Sequence, residues 1–230
     1  MYKQLHIKYE KFHNKYVVQK RRPQEYFINR YYAHLVDPFF TKCAYDLKLS
    51  PNIVTIMAGL AGVLSGIAFI CQYFILGAIL LQLHHLLDGA DGNLARLTNR
   101  MTVFGAKLDK LVDQIVRFTV FFSLALVCKD PLWVKLLLFF TIYFDLFIVH
   151  YYVLPYAKKH SLIRSKWKKW FLSKGIIPAF DIFLIYFLIS VFALFGKIEL
   201  VIYIIIIGKN IDWIYRVWEV EKTKIHLKKI

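Results

Sequence analysis

The sequence predicts an all-α integral membrane bundle of six transmembrane helices, preceded by an N-terminal amphipathic interfacial helix. Three observations lead there. Of 230 residues, 58% are hydrophobic and 17% aromatic, and the mean hydropathy is +0.48, too apolar for a soluble domain of this length. Six apolar stretches, each near the roughly 20 residues that cross about 30 Å of hydrocarbon, fall at 51–71, 73–97, 103–128, 132–156, 176–196 and 198–219. Basic residues gather in alternate connections, as in chains whose loops are sorted by a membrane.

Taken in order, residues 1–23 carry seven Lys or Arg without the continuous apolar core of a signal peptide, and read as a basic cytoplasmic tail. In 24–48, Phe27, Tyr31, Leu35 and Phe39 recur every four residues, with Ile28, Tyr32, Val36 and Phe40 beside them. That pattern predicts an amphipathic juxtamembrane helix, although an ordinary packed helix shares it. Residues 49–219 form the six-span domain and 220–230 a second basic tail. Ten basic residues precede the first span, Arg96 and Arg100 lie between the second and third, seven lie in 158–174 and four follow from Lys222. The connections near Gln72, Lys129 and Lys197 are short and nearly uncharged, so both termini and the basic loops are expected in the cytoplasm. Trp167, Trp170, Trp213 and Trp218 sit near span ends, where aromatic anchors gather and where packing places them too.

The excess of 31 Lys and Arg over 15 Asp and Glu gives a formal charge of +16. In a membrane chain this reflects loops facing anionic lipid rather than nucleic acid. Cys43, Cys71 and Cys128 are far apart and form neither a disulfide framework nor a zinc signature. Few Gly and Pro with abundant Lys, Ile, Tyr and Phe suit a bacterial inner membrane.

The chemistry is concentrated in DGADGNLARLTNRMTVFGAKLDKLVD, residues 88–113. Asp88 and Asp91 are three apart, Asp109 and Asp113 four apart, so each pair shares a helix face. Each carboxylate at membrane depth costs about 2.5–3.5 kcal/mol, so four cost on the order of 10 kcal/mol unless compensated. The cations at hand are Arg96, Lys107, Lys110 and Arg117, and the surrounding Leu86, Leu87, Leu94, Phe104, Leu108, Leu111 and Val112 argue against a solvated loop. An all-oxygen donor set points to Mg²⁺, Mn²⁺ or Ca²⁺, and four carboxylates suffice for two ions. Such a centre suits phosphoanhydride cleavage, in which a spare carboxylate takes the proton of an attacking hydroxyl. Gly92, Ala95 and Gly105 permit close approach of helices and ligand. Arg96 offers a planar fork to phosphate, or snorkels as an interfacial cation.

This segment resembles the CDP-alcohol phosphotransferase (CDP-alcohol phosphatidyltransferase) family, class I, whose signature D-x2-D-G-x2-A-R-x8-G-x3-D-x3-D is met at all eight specified positions. The likeness covers about 48–200 and includes the P-N-x-V-T stretch at Pro51, Asn52, Ile53, Val54 and Thr55. It implies a six-span membrane homodimer with a site near the cytoplasmic side, dependent on two Mg²⁺ or Mn²⁺ ions. Asp88, Asp91, Asp109 and Asp113 would bind metal, and Asp113 would also serve as general base. Asn52, Thr55, Gly92, Arg96 and Gly105 would line the nucleotide pocket. Asn52 and Thr55 read equally as caps of the first span, with Ser50 as competitor. The implied reaction displaces CMP from a CDP-linked alcohol by the hydroxyl of a second alcohol, a lipid or a small polar one, in phospholipid biosynthesis. No Ser, Cys or His in the motif suggests a covalent intermediate.

Two branches stay open: transfer of phosphocholine or phosphoethanolamine to diacylglycerol, which the order DGADG resembles, and transfer from CDP-diacylglycerol to glycerol phosphate, inositol phosphate or serine. DKLVDQ lacks the L-D-P-x-A-D-K ending of glycerophosphate-type members, and no S-F-G-x-A-P stretch of the serine type is present. Acceptor-site candidates are His84, on the face of Asp88, and Lys158, Lys159 and Arg164 in the basic loop; His84 reads equally as a packing histidine. His85, Asp145, His150, Asp181, Lys209, Asn210 and Asp212 are further candidates for the acceptor pocket as polar residues in the spans, although Lys209 and Asp212 are spaced to pair simply with each other. A divalent-cation transporter is the non-enzymatic alternative, though it has no need of the glycine, alanine and arginine positions.

Overall fold

The computed structural model describes residues 2–17 and 23–228; the remaining parts of the two predicted tails lie outside the described residues. The fold is helical, with α1 (Tyr2–Tyr16), α2 (His34–Asp46), α3 (Pro51–Ile70), α4 (Phe74–Leu97), α5 (Val103–Val127), α6 (Leu132–Ile148), α7 (Leu154–Lys159), α8 (Lys166–Ser173), α9 (Ile182–Leu194) and α10 (Ile198–Leu227). A π-helical turn, Val149–Val153, joins α6 to α7 in one continuous helix. That helix and α3 are long and apolar enough to cross a membrane. The strands β1 (Glu25–Tyr26) and β2 (Ile176–Ile177) pair in parallel, with Glu25 opposite Ile176 and Tyr26 opposite Ile177.

Helix boundaries follow local chemistry. The Ser50 hydroxyl accepts from Ile53 N–H and Pro51 starts α3, where its missing N–H costs nothing. Thr102 caps α5 by accepting from Gly105 N–H at 2.9 Å. Asp181 caps α9 by accepting from Phe183 N–H at 3.1 Å. This cap explains why α9 begins at Ile182 rather than at 176: Ile176 and Ile177 are drawn into pairing with β1. Gly175, at φ +77°, turns the chain into that pairing, and its carbonyl accepts from Glu25 N–H and, at 2.6 Å, from Arg30 Nη1.

Three elements differ from the sequence expectation. The 24–48 segment is not one helix: β1 and a π-helical turn at Asn29–Ala33 precede α2. Residues 2–16 of the expected basic tail are helical, and α1 docks its aromatic face on α2, with Phe12 and Phe39 rings 4.8 Å apart and the Tyr9 hydroxyl donating to Leu35 O. Helix α10 runs through the boundary expected at 219, and its 30 residues reach about 45 Å. Its C-terminal half is held in the bundle by a buried ion pair, Lys168 Nζ to Glu219 Oε2 at 2.5 Å, and by the Thr223 hydroxyl, which accepts from Ile163 N–H.

The core runs through α4, α5, α6, α9 and α10, with Leu81, Val116, Phe121, Leu124, Leu138, Ile185, Ile189 and Ile205 fully enclosed. An apolar stripe of α5, Leu111, Ile115, Phe118, Phe122 and Leu126, is left exposed, as helix faces against lipid are. Helix α3 meets α5 along small residues. A Cβ on Gly59 would lie 2.7 Å from Val112 Cγ1, one on Gly62 2.4 Å from Val116 Cγ1, and one on Gly66 2.6 Å from Thr119 Cγ2. Val112 precedes Asp113, so this glycine seam sets how deep the α5 carboxylates sit.

Gly62→Val is expected to cost at least about 1–3 kcal/mol by overpacking, read as a lowered thermal midpoint in detergent. Adding Val116→Ala should recover most of the loss, because it removes the atoms the new side chain strikes.

Candidate active site

The motif falls on the last three turns of α4 and the first three of α5, joined by a connection in which Asn99 takes φ +53°. Asp88, Asp91 and Asp109 each offer a carboxylate oxygen within 4.8 Å of the others. Asp113, one turn beyond Asp109, is not in that close set, but its charge reaches Asp88 and Asp91. Asp91 is buried and its carboxylate takes a short hydrogen bond from the Thr55 hydroxyl, which ties α3 to α4 at the site. Three convergent carboxylates and no soft donor fit a hard divalent cation such as Mg²⁺ or Mn²⁺.

Beside the carboxylates opens a cleft of about 230 Å³. Asn52, Thr55, Gly92, Arg96 and Gly105, the residues the sequence nominated for nucleotide, all line it, with Asp91 and Asp109 in its wall. Ser50 takes the capping role on α3, so the Asn52 side chain reaches into the cleft instead. A Cβ on Gly105 would stand 2.9 Å from Asn52 Oδ1, and one on Gly92 3.3 Å from the Arg96 guanidinium nitrogens. Both glycines therefore keep side chains out of a wall that the amide and the guanidinium occupy. Arg96 Nη2 donates to Asn93 Oδ1 at 2.9 Å, which leaves other N–H groups of the fork for a ligand.

The residues nominated for the acceptor do not join this cleft. His84 Nδ1 lies 3.1 Å from Ala58 O and its ring meets Tyr186 edge-on, the geometry of a packing histidine between α3, α4 and α9. Lys158 and Lys159 are exposed at the end of α7, carried past the bundle by the continuous helix, and Arg164 lies in the following loop. Lys209 does not pair with Asp212: its Nζ reaches Asp145 Oδ2 on α6 at 2.5 Å, while Asp212 pairs with Arg216 at 2.8 Å. Sequence spacing could not reveal the Lys209 partner, which is brought in by packing of α6 on α10.

A second polar cavity, about 170 Å³, was not nominated as a unit. It is lined by Tyr26, Arg117, Asp145, Asp181, Lys209 and Arg216 among others. Of its lining, Asp145, Asp181 and Lys209 are among the intramembrane acceptor candidates of the sequence, whereas Tyr26, Arg117 and Arg216 are not. Burial raises the Tyr26 phenol above its usual value, against an opposing effect of Arg216, so it stays a protonated donor at neutral pH.

Asp91→Asn is expected to weaken Mn²⁺ binding about tenfold or more, since it removes charge from the ligand set and part of the Thr55 contact. Manganese paramagnetic resonance on the purified protein measures it.

A family model described as CDP-alcohol phosphatidyltransferase matches residues 48–218. The archaetidylinositol phosphate synthase of Pyrococcus horikoshii is 28% identical over 184 residues, 79% of this chain and 88% of that protein. The bifunctional IPC transferase and DIPP synthase of Aquifex aeolicus is 37% identical over 108 residues, 46% of this chain, and the match spans only 23% of the Aquifex protein. The crystal structure of Mycobacterium tuberculosis phosphatidylinositol phosphate synthase with CDP-DAG bound superposes with a TM-score of 0.55 at 18% identity, over 80% of this chain and 92% of that one. That likeness extends the fold beyond the motif, and the family model's match over residues 48–218 establishes that the chain belongs to the CDP-alcohol phosphatidyltransferase family.

Proposed function

We propose that the protein is a six-span membrane transferase that moves a phosphatidyl-type group from a CDP-linked lipid to the hydroxyl of a phosphorylated polar alcohol, releasing CMP. The observation that carries the reading is the pair of polar cavities near the carboxylates: one lined by an amide, a hydroxyl and an arginine, the other by three cations. The first suits cytidine and its diphosphate, the second the phosphate of the acceptor. The names of the relatives, inositol phosphate synthases of archaeal and mycobacterial lipid, favour the CDP-lipid branch over phosphocholine or phosphoethanolamine transfer. A divalent-cation pathway would leave the Arg96 cleft and the cationic cavity without a use.

Asp88, Asp91 and Asp109, with Asp113 behind them, would hold the divalent ions. When bound, these ions neutralise the diphosphate and stabilise the departing CMP. The side chains supply the rest. Arg96, Asn52 and Thr55 orient the nucleotide half of the donor from the cleft. Arg117, Lys209 and Arg216 hold the acceptor phosphate, and because Arg117 follows Asp113 by one turn, the acceptor hydroxyl is brought to the Asp113 carboxylate. As the new acceptor O–P bond forms, the P–O bond to CMP breaks and Asp113 takes the hydroxyl proton. Basic loops and termini facing the cytoplasm would open the site to the soluble substrate, while the lipid enters from the bilayer. Family resemblance supports a homodimer.

The test is CMP release by protein in lipid nanodiscs with Mg²⁺, across CDP-diacylglycerol, CDP-choline and CDP-ethanolamine, with inositol phosphate, glycerol phosphate, serine and diacylglycerol as acceptors. Release is expected only with the CDP-lipid and a phosphorylated acceptor, and Asp113→Asn should lower kcat about 100-fold or more. Arg216→Gln should raise KM for the acceptor about tenfold while KM for the donor stays unchanged. Turnover with CDP-choline and diacylglycerol instead would overturn the assignment of branch.

A further inference from the structure

The face of α4 that bears Asp88 also closes a third cavity, about 140 Å³, whose wall includes Asn29, His34, Asp37, His85, Asp88 and Arg96. Arg96 therefore belongs to two cavities, the nucleotide cleft and this one. Its guanidinium lies back over Gly92, held on one nitrogen by Asn93, and its Nε is buried without a hydrogen-bond partner among the described residues.

Arg96 shares the cleft with Asp91 and Asp109 and the third cavity with Asp37 and Asp88. Asp91 stands in the carboxylate cluster, so a bound cation would claim its charge. Asp37 comes from α2, is 3% exposed, and lies flat on the backbone of α4: a Cβ on Gly89 would meet its Oδ1 at 2.9 Å and its Oδ2 at 3.1 Å. Its Oδ2 also faces His34 Nδ1 at 3.3 Å, and the other nitrogen of that ring contacts Glu25. The Thr41 hydroxyl donates to Asp37 O at 2.9 Å, which further fixes the turn. Asp37 and Arg96 line one cavity, so the carboxylate's field reaches the guanidinium across it.

We propose that Asp37 is a positioning residue for nucleotide binding: from the interfacial helix α2 it holds the Arg96 guanidinium at the wall between the two cavities, so that the fork faces the cleft when the carboxylate cluster is loaded with metal. Asp37 lies before the segment 48–218 that the family model matches, so the inference makes the juxtamembrane helix part of the working site rather than a membrane anchor alone. It rests on the nucleotide role proposed for the cleft.

The experiment is a double-mutant cycle on CDP binding, measured calorimetrically with the full-length protein in nanodiscs at saturating Mg²⁺. Asp37→Asn, which keeps shape and removes charge, should weaken CDP about five- to tenfold, and Arg96→Gln should weaken it at least as much. The double variant should be no weaker than Arg96→Gln alone, and Asp37→Glu should return affinity to within about twofold of the parent. Mg²⁺ affinity should move less than twofold in Asp37→Asn. Losses that add in the double variant, or a fall in Mg²⁺ affinity parallel to that in CDP affinity, would show a general structural role and overturn the inference; unchanged CDP binding in Asp37→Asn overturns it too. If Asp37→Asn does not fold, Asp37→Ser carries the same cycle. Parent protein that binds no CDP removes the nucleotide reading and the inference with it, whereas parent binding with an insensitive Asp37 removes the inference alone.

Discussion

Mutual repulsion of the carboxylates is the constraint around which this molecule is built. Two unit charges 4.8 Å apart, the limit within which Asp88, Asp91 and Asp109 sit, oppose each other by about 3–4 kcal/mol at an effective dielectric constant near 20. No cation of the chain contacts them directly in an ion pair among the described residues. Packing elsewhere must therefore hold α4 and α5 in place. The glycine seam of α3 does so, taking Val112, Val116 and Thr119 of α5 into its grooves, while Thr55 of the same helix bonds Asp91 of α4. One helix thus sets the height and rotation of both carboxylate-bearing helices, and a divalent cation is the natural counterpart to the charge they gather.

The buried ion pairs divide the molecule differently. Lys209 with Asp145, and Arg216 with Asp212, compensate each other, and Lys209, Asp145 and Arg216 at the same time line the second cavity. Because Lys209 and Arg216 already have acidic partners, an incoming phosphate must compete for them, which favours a ligand carrying more than one negative charge. The parallel pairing of β1 with β2 brings Tyr26 to the same cavity, so residues preceding the first long apolar helix contribute to both flanks of the site: Tyr26 on one side, Asp37 on the other.

Much of this was legible in the sequence. Helical periodicity puts Asp88, Asp91, Gly92 and Arg96 on one stretch and Gly105, Asp109 and Asp113 on the next, each pair of acids on one face, but of the four acids expected to converge only Asp88, Asp91 and Asp109 form the close set. Likewise α3 to α6 and α10 begin within a residue of the apolar stretches, since caps and turns are local signals: Ser50 before Pro51, Thr102 before Val103. Where tertiary contact competes with local preference, expectation and structure part. Ile176 and Ile177, apolar enough to start a helix, pair with β1 instead, and the juxtamembrane segment breaks into a strand, a π-helical turn and α2 because its backbone must reach both β2 and α4.

The sequence by itself determined the helical class, the apolar stretches and the family signature, because each depends on residues within a few turns of one another or on composition. Only the tertiary structure decided which cations face which acids, where His84 points and which residues form the second and third cavities. Lys209 meets Asp145 across 64 positions, and Asp37 meets Gly89 across helices, and no local spacing encodes such meetings. They follow from the way α2, α6, α9 and α10 close around the core, which is settled by packing of side chains rather than by the period of any single helix.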